Sequence, residues 1–322
     1  MKRIVRVAVS LSLLQALASF AQPMPPAPPP PSAEAFKNLV QYDRKPTYEV
    51  AVTGDGTLAY QVFVNELPLY KSPLKRAGTF RFFVNQAILQ SGPQTVTVRF
   101  VPGPGQARLP DTDAFKLEVI ASGWMKGGGR EPAKTLADYE LPRLVDGRQP
   151  EFKQGGEASK SLGFDASVPY ALAGWRHSVP LDAGDAQLKT EVVAAYERLM
   201  DDFRKKKGAA FMGALAKAEF MAYEANYMTP DEARRRFDQW VNSVDDGGMT
   251  LAPLENYAVE TLSDNKLVRL KRTDAPNLGE GVLRVPYKKF RQDRTLVYDI
   301  YLHRPTATAR LEPIWFYMVD SN

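Results

Sequence analysis

The sequence predicts a two-domain chain: an N-terminal all-β sandwich followed by an α+β domain of three helices and then a curved antiparallel sheet. Three observations predict it. The 322 residues exceed the length of about 250–300 at which single cores usually stop growing. Apolar residues alternate with period two from about Thr47, switch to helical spacing at Leu181, and return to period two after Met249. Aromatics make up 11% of the chain, enough large apolar side chains to offset the entropy lost on ordering.

The first element is an address. Lys2, Arg3 and Arg6 precede a short apolar stretch from Val7 to Phe20, with small residues at Ser19 and Ala21, the three parts of a cleavable secretory signal peptide over residues 1–21. The stretch is shorter than the roughly 20 apolar residues a membrane-spanning helix needs, so no integral membrane segment is expected after cleavage, and the periplasm is the expected location. Removing this segment takes three of the 42 basic residues and none of the 37 acidic ones. The apparent net charge of +5 is therefore largely the export signal. Pro23 to Pro31 holds seven prolines in nine positions, a polyproline II run expected to act as a spacer over residues 22–43.

Strands are expected over residues 44–180. Tyr48, Val50 and Val52 alternate, Gly54-Asp55-Gly56 turns the chain, and Leu58 to Val64, Phe80 to Val84, Thr95 to Val101 and Phe115 to Ile120 follow, each bounded by Gly, Pro or Asn. Gly123 to Gly156 is rich in glycine, proline and charge and reads as a surface excursion. Its Gly127-Gly128-Gly129 lacks the strand-to-helix context and the following Lys-Ser/Thr of a phosphate loop. Leu162, Phe164, Ala166 and Val168 alternate again and close the sandwich.

Residues 181–322 form the α+β part. Leu188, Val192, Tyr196, Leu199 and Phe203 share one helix face, with Asp182 or Asp185 as N-cap, and Gly208 ends that helix after a cationic last turn. A second helix is expected from about Ala209 to Asn226. Thr229-Pro230-Asp231-Glu232 opens the third with a capping box and Pro at the first helical position; Phe237, Trp240, Val241 and Val244 supply its buried face. Tyr257 to Leu262 and Leu267 to Arg272 read as a hairpin, followed by strands at Gly281 to Lys288, Thr295 to Arg304 and Ile314 to Val319.

Composition excludes several chemistries. Without cysteine there are no disulfides, thiolate zinc sites, iron–sulfur clusters, cysteine nucleophiles or lipidated N-terminal cysteine. Two histidines, His177 and His303, leave little room for a histidine-rich metal site, and no cofactor loop is present. The expectation is therefore no metal and no cofactor.

At Val62-Phe63-Val64-Asn65, Phe80 to Ile88 and Ser91 to Val98 the chain resembles the galactose-binding-like β-sandwich, although Glu66 stands where a turn glycine is usual and Gln94 where Asn is common. The resemblance implies a sandwich. Residues 182–320 resemble the nuclear-transport-factor-like cone in the order of their elements. The whole arrangement, with Val168-Pro169-Tyr170, Gly174-Trp175 and Leu254-Glu255-Asn256-Tyr257, is similar to exported proteins of Gram-negative bacteria, some of which resemble periplasmic immunity proteins that neutralise secreted antibacterial toxins.

Two sets of residues are candidate sites. Asp299, Tyr301 and His303 alternate along one strand, about 6.6 Å apart on one face, and could line the concave side of a cone as acid and base. His177 reads as a contact at the domain junction, and the neighbouring pairs Asp201-Asp202 and Asp245-Asp246 diverge on their helices too far to chelate a metal. The basic runs Arg204, Lys205, Lys206, Lys207; Arg234, Arg235, Arg236; and Lys288, Lys289, Arg291 could attract an acidic protein partner, while nucleic acid is not expected because acidic residues interleave with them. The leading expectation is a soluble, non-catalytic protein-binding protein of the immunity type. The alternatives are a ligand or enzyme pocket in the cone, and carbohydrate binding by the sandwich through exposed aromatics such as Trp124 or Tyr70.

Overall fold

The computed structural model describes residues 33–72, 77–101, 115–141, 158–275, 277–289 and 291–321. The expected signal segment and the proline run lie outside these residues, as do residues 142–156 of the expected excursion. The described chain is mostly β, with three sheets and three helices, and a β-rich region precedes the helices.

Alternating burial along the early strands builds two facing sheets. β1 (Arg44–Asp55), β4 (Ala77–Phe83), β6 (Lys116–Met125) and β7 (Arg130–Glu140) form one, in the order β4-β1-β6-β7; β2 (Ala59–Val64), β3 (Leu67–Ser72), β5 (Gly92–Val101) and β8 (Ala158–Ala166) form the other, in the order β3-β2-β5-β8. Inward residues such as Val50, Val62, Val98 and Leu117 are almost fully buried, the pattern of two half-solvated sheets sharing one core.

Two strands depart from the sequence reading. β7 lies where a surface excursion was expected, and its sequence REPAKTLADYE is exposed or half-exposed throughout. An edge strand with one solvated side gains no continuous apolar alternation, so its pattern was invisible. β3 was also missed, because β2 and β3 are joined by only Asn65 and Glu66, both at positive φ (49° and 68°). A hairpin turn of this kind favours Asn at the first position and Gly at the second. Glu66 is kept there by its carboxylate, which accepts the Ser263 N–H from the far half of the chain. Asn65 donates to Ala87 O (2.9 Å) and to Gln94 Oε1 (2.7 Å), so Gln94 fills the role an Asn would otherwise take.

The helices are α1 (Ala186–Arg204), α2 (Gly208–Ala225) and α3 (Pro230–Asp245). Asp185 caps α1 by accepting from Gln187 N. The expected capping box on α3 is present in both directions between Thr229 and Glu232. Gly208 lets α2 start against α3: a Cβ there would sit 2.2 Å from Val241 O.

The last five strands make a third, antiparallel sheet: β9 (Tyr257–Leu262), β10 (Leu267–Arg272), β11 (Leu283–Lys289), β12 (Gln292–His303) and β13 (Glu312–Ser321). β13 lies along one side of β12, while β11 and β10 share the other, and β9 closes the edge. From Val297 to His303 every residue of β12 is buried. Tyr298, Ile300 and Leu302 pack with the helices, whereas Tyr301, with Ile314 and Trp315 of β13, joins the core of the two facing sheets. Met221, Ala225 and Tyr227 at the end of α2 enter that same core. Polar links run beside it: Tyr227 donates to Pro46 O (2.8 Å), Leu181 N to Asn265 O (2.7 Å) and Val179 N to Arg304 O (2.9 Å).

The C-terminal half of the expected spacer, residues 33–43, is packed and not free. It begins with a short 3-10 turn (Ala33–Asn38), and Phe36, fully buried, sits edge-on between Tyr223 and Phe237 with ring centroids 5.2 and 5.1 Å away. Val40 N donates to the Glu224 carboxylate (3.0 Å) and Gln41 to Met228 O (3.1 Å). No proline interrupts residues 33–43, and Phe36 and Leu39 supply the apolar anchors.

Candidate binding surface

Asp299, Tyr301 and His303 were expected to line an open concavity, and all three are buried. The face of β12 that carries them meets the facing sheets instead of solvent, and the polar groups are matched among themselves except for Asp299 Oδ1, which has no hydrogen-bond partner among the described residues. Asp299 takes hydrogen bonds from Arg269 and, at 3.0 Å, from the Tyr301 hydroxyl. Arg269 also donates to Glu260 (2.8 Å) and Gly279 O (3.1 Å) and lies 5.2 Å from the Tyr301 ring centre. Burial pushes the Asp299 carboxyl up against the opposing pull of Arg269. Burial also opposes the charge of Arg269, but Asp299, Tyr301 and Glu260 outweigh it and raise its pKa. This network ties β9, β10 and β12 together and has no open side for a substrate among the described residues.

His303 belongs to a second cluster, separate from Asp299. The Ser178 hydroxyl lies 2.6 Å from His303 Nδ1, and His303 Nε2 lies 3.0 Å from Glu312 Oε1, which also takes Lys217 Nζ at 2.8 Å. The hydrogen bond from His303 holds the Glu312 carboxyl down to about 2, against partial burial and with help from Lys217. Ser178 adjoins His177 in the sequence, but its partner is the other histidine, 125 positions away. The order Ser–His–Glu imitates a nucleophile relay, but Ser178 and His303 are only 6% and 2% exposed, and neither concavity described below includes them.

The basic runs are spread over three places. Arg204 ends α1; Lys205 pairs with Asp201 (2.8 Å); Lys206, at φ 55°, lays its side chain over Gly247 beyond the end of α3; Lys207 leads into α2. Lys288 stands 3.5 Å from Asp293 and with Tyr287 and Arg294 borders a concavity of about 390 Å³ at the β11–β12 hairpin. Arg291 occupies the turn of that hairpin at φ 66°, and the side chain of Lys289 lies outside the described residues.

The run on α3 is the one that builds a site. Arg234 turns to Asp231 (2.8 Å), but Arg235 and Arg236 line a groove of about 410 Å³ with Gln239, Trp240, Ser243 and Met228. Arg236, Gln239, Trp240 and Ser243 fall three, one and three residues apart, so one flank of the helix carries them all. Among the described residues neither Arg235 nor Arg236 makes a hydrogen bond or a close ion pair. Glu232, also on the rim, is occupied by its cap: it accepts from Thr229 N and Oγ1 (2.9 and 2.8 Å). Beneath the groove Glu219 of α2 is 4% exposed; burial pushes its carboxyl up to about 7, with Tyr223 and Arg236 pulling the other way. Trp240 was read from the sequence as purely buried; it is half-buried and shared between core and groove.

On the outer face of the first sheet Trp124 is 47% exposed and carries the Arg130 guanidinium 5.5 Å from its ring centre. Tyr70 is not available in the same way, being stacked on Phe82 and Phe80 (5.2 and 5.9 Å). No helix of the described residues is long and apolar enough to cross a membrane. Compared with known proteins, the chain matches no family model, no curated protein and no solved structure.

Proposed function

We propose that this is a non-catalytic binding protein of two domains, exported to the periplasm, whose α3 groove docks an acidic segment of a protein partner. Neutralisation of a secreted toxin is the most specific form of this function. The observation that carries it is the groove itself: Arg235 and Arg236 without close carboxylate partners, beside the half-buried Trp240. Arginine and tryptophan are the side chains that most often anchor protein interfaces, and paired guanidiniums take carboxylates in bidentate fashion. The burial of Asp299, Tyr301 and His303 weighs against the pocket alternative. The experiment is affinity capture of envelope proteins on immobilised protein, wild type against Arg235→Glu/Arg236→Glu. A stoichiometric partner retained by the wild type and lost by the variant supports the proposal; equal retention by both refutes the groove as the docking surface.

Trp124 favours carbohydrate binding as a second reading, because an exposed indole with donors beside it can stack on a sugar ring. Glycan-array binding that disappears in Trp124→Ala would establish it.

A further inference from the structure

β4 forms an edge of the first sheet and pairs there only with β1. We propose that this edge is an interface with a second copy of the chain: β4 pairs antiparallel with β4 of the other copy across a two-fold axis at Phe80, joining two four-stranded sheets into one of eight strands.

The backbone of β4 points the groups that such pairing needs outward. Val84 N donates to Tyr48 O (2.9 Å), and Phe82, Phe80 and Gly78 continue the same parity opposite Val50, Val52 and Gly54 of β1. In an antiparallel ladder the residues between them turn their N–H and C=O the other way. Those of Thr79, Arg81 and Phe83 therefore face away from β1, and among the described residues they meet no backbone partner. The other edges of the two facing sheets carry residues that block strand addition: Pro132 and Lys134 on β7, Pro68 and Lys71 on β3, Lys160 and Asp165 on β8. β4, with the sequence AGTFRFF, has no proline, no lysine and three aromatic residues.

The same sequence is complementary to itself. With the axis at Phe80, Thr79 of one copy faces Arg81 of the other, Ala77 faces Phe83, Gly78 faces Phe82, and the two Phe80 rings meet. Thr79–Arg81 and Ala77–Phe83 are then the hydrogen-bonded pairs. Phe82 covers Gly78, whose φ of 125° excludes most side chains, and an aromatic opposite an edge glycine is a stabilising pair. On the inner face Phe80 and Phe82 already stack on Tyr70, so pairing merges two aromatic clusters. On the outer face Phe83, 56% exposed, gains cover. An axis at Arg81 would set Arg81 against Arg81, a destabilising like-charge pair, and an axis at Thr79 would overlap only Ala77 to Arg81. Because both copies use the same strand, the contact closes at a dimer. Seven residues a side fall well below the roughly 20–30 of a standard interface. The dimer is therefore a weak one, half-formed at about 10–100 μM. It uses neither α3 nor Trp124, so it stands or falls apart from the function proposed above.

The test uses the full chain after signal removal, residues 22–322. Sedimentation equilibrium from well below to well above the expected midpoint should show a monomer–dimer equilibrium. Arg81→Pro removes an N–H that points away from β1, a place where an edge strand tolerates proline, and should weaken the dimer at least tenfold with the circular dichroism spectrum unchanged. The chain has no cysteine of its own, so a nitroxide on Phe83→Cys reports the register without further changes. In the proposed pairing the two labelled positions lie six residues apart along the ladder, about 20 Å, read by pulsed dipolar spectroscopy. A monomer at every concentration overturns the proposal, as does an Arg81→Pro variant that folds and dimerises like the wild type. If that variant does not fold, the label decides: a distance away from about 20 Å puts the contact elsewhere or in another register and overturns the pairing. Capture of an extended segment of a different protein on β4, with the chain alone monomeric, assigns the edge to that protein and overturns it as well.

Discussion

Replacing Glu219 by glutamine should stabilise the protein at neutral pH and remove a specific part of its pH dependence. The side chain is 4% exposed on α2, and burial raises its pKa from 4.5 to about 7. A carboxyl with a raised folded-state pKa holds its proton more tightly folded than unfolded, so its contribution is most favourable below the unfolded value and is lost as pH rises through the folded one. The shift corresponds to about 3 kcal/mol between pH 4 and pH 8, at 1.36 kcal/mol per unit. Glutamine keeps the shape without a charge to desolvate. Urea unfolding of wild type and Glu219→Gln at pH 4, 5, 6, 7 and 8 measures the difference. The two proteins should nearly match at pH 4, diverge between pH 5 and 7, and differ by about 3 kcal/mol in favour of the variant at pH 8. A difference that does not vary with pH, or a wild type more stable at pH 8, would refute the reasoning. The comparison cancels the groups the two proteins share, including Glu312, whose depressed pKa acts in the opposite sense at acid pH.

Other positions give outcomes of different sign and size. Asp299→Ala leaves the buried Arg269 guanidinium without its closest carboxylate, and breaking such a pair should cost about 3–5 kcal/mol, read as a lowered urea midpoint. Gly281→Ala would put a Cβ 2.7 Å from Asp299 Cα and 2.8 Å from Tyr298 O; both are backbone atoms in the middle of β12, so thermal unfolding should show a loss of about 1–3 kcal/mol. Thr229→Ala removes the reciprocal cap of α3 and should cost about 1 kcal/mol, with faster amide exchange confined to the first turn of that helix.

The helices were legible because their signals are local. Thr229-Pro230-Asp231-Glu232 states a helix start in four residues, and the apolar spacing of α1 states its buried face in one window. The hairpin Tyr257–Leu262 and Leu267–Arg272 was legible for the same reason. What failed depended on distant neighbours. β7 is an edge strand whose pairing with β6 was decided by register and not by apolar pattern. Residues 33–43 looked like a continuation of the proline run, and only Tyr223 and Phe237, about 190 and 200 positions later, turn Phe36 into a core residue. Of the candidate site residues, Arg235 and Arg236 were named from charge alone; the aromatic and amide that make them a groove follow from the helical flank they share, a relation the sequence does contain at spacings of three and four.

The strand β12 shows why a polar stripe is an unsafe guide to a pocket. Val297, Asp299, Tyr301 and His303 alternate with Tyr298, Ile300 and Leu302, which suggests one wet face and one dry face. A strand with only its own sheet and helices around it would have that outcome. Here the other face is covered by the first two sheets: Tyr301, Ile314 and Trp315 share a core with Val62, Leu67 and Ile88. Burying Asp299 and His303 there is offset by partners within the layer, Arg269 and Tyr301 on Asp299 Oδ2, Ser178 and Glu312 on His303, while Asp299 Oδ1 has no hydrogen-bond partner among the described residues. The same coverage pushes recognition outward. With both faces of β12 enclosed, a partner is met on a flank that no other layer covers, and on α3 that flank carries two guanidiniums lacking close counter-charges beside an aromatic ring. Covering a polar face and leaving a basic one bare are therefore two results of one packing arrangement, and substitutions at Asp299 should alter stability while those at Arg235 and Arg236 alter binding.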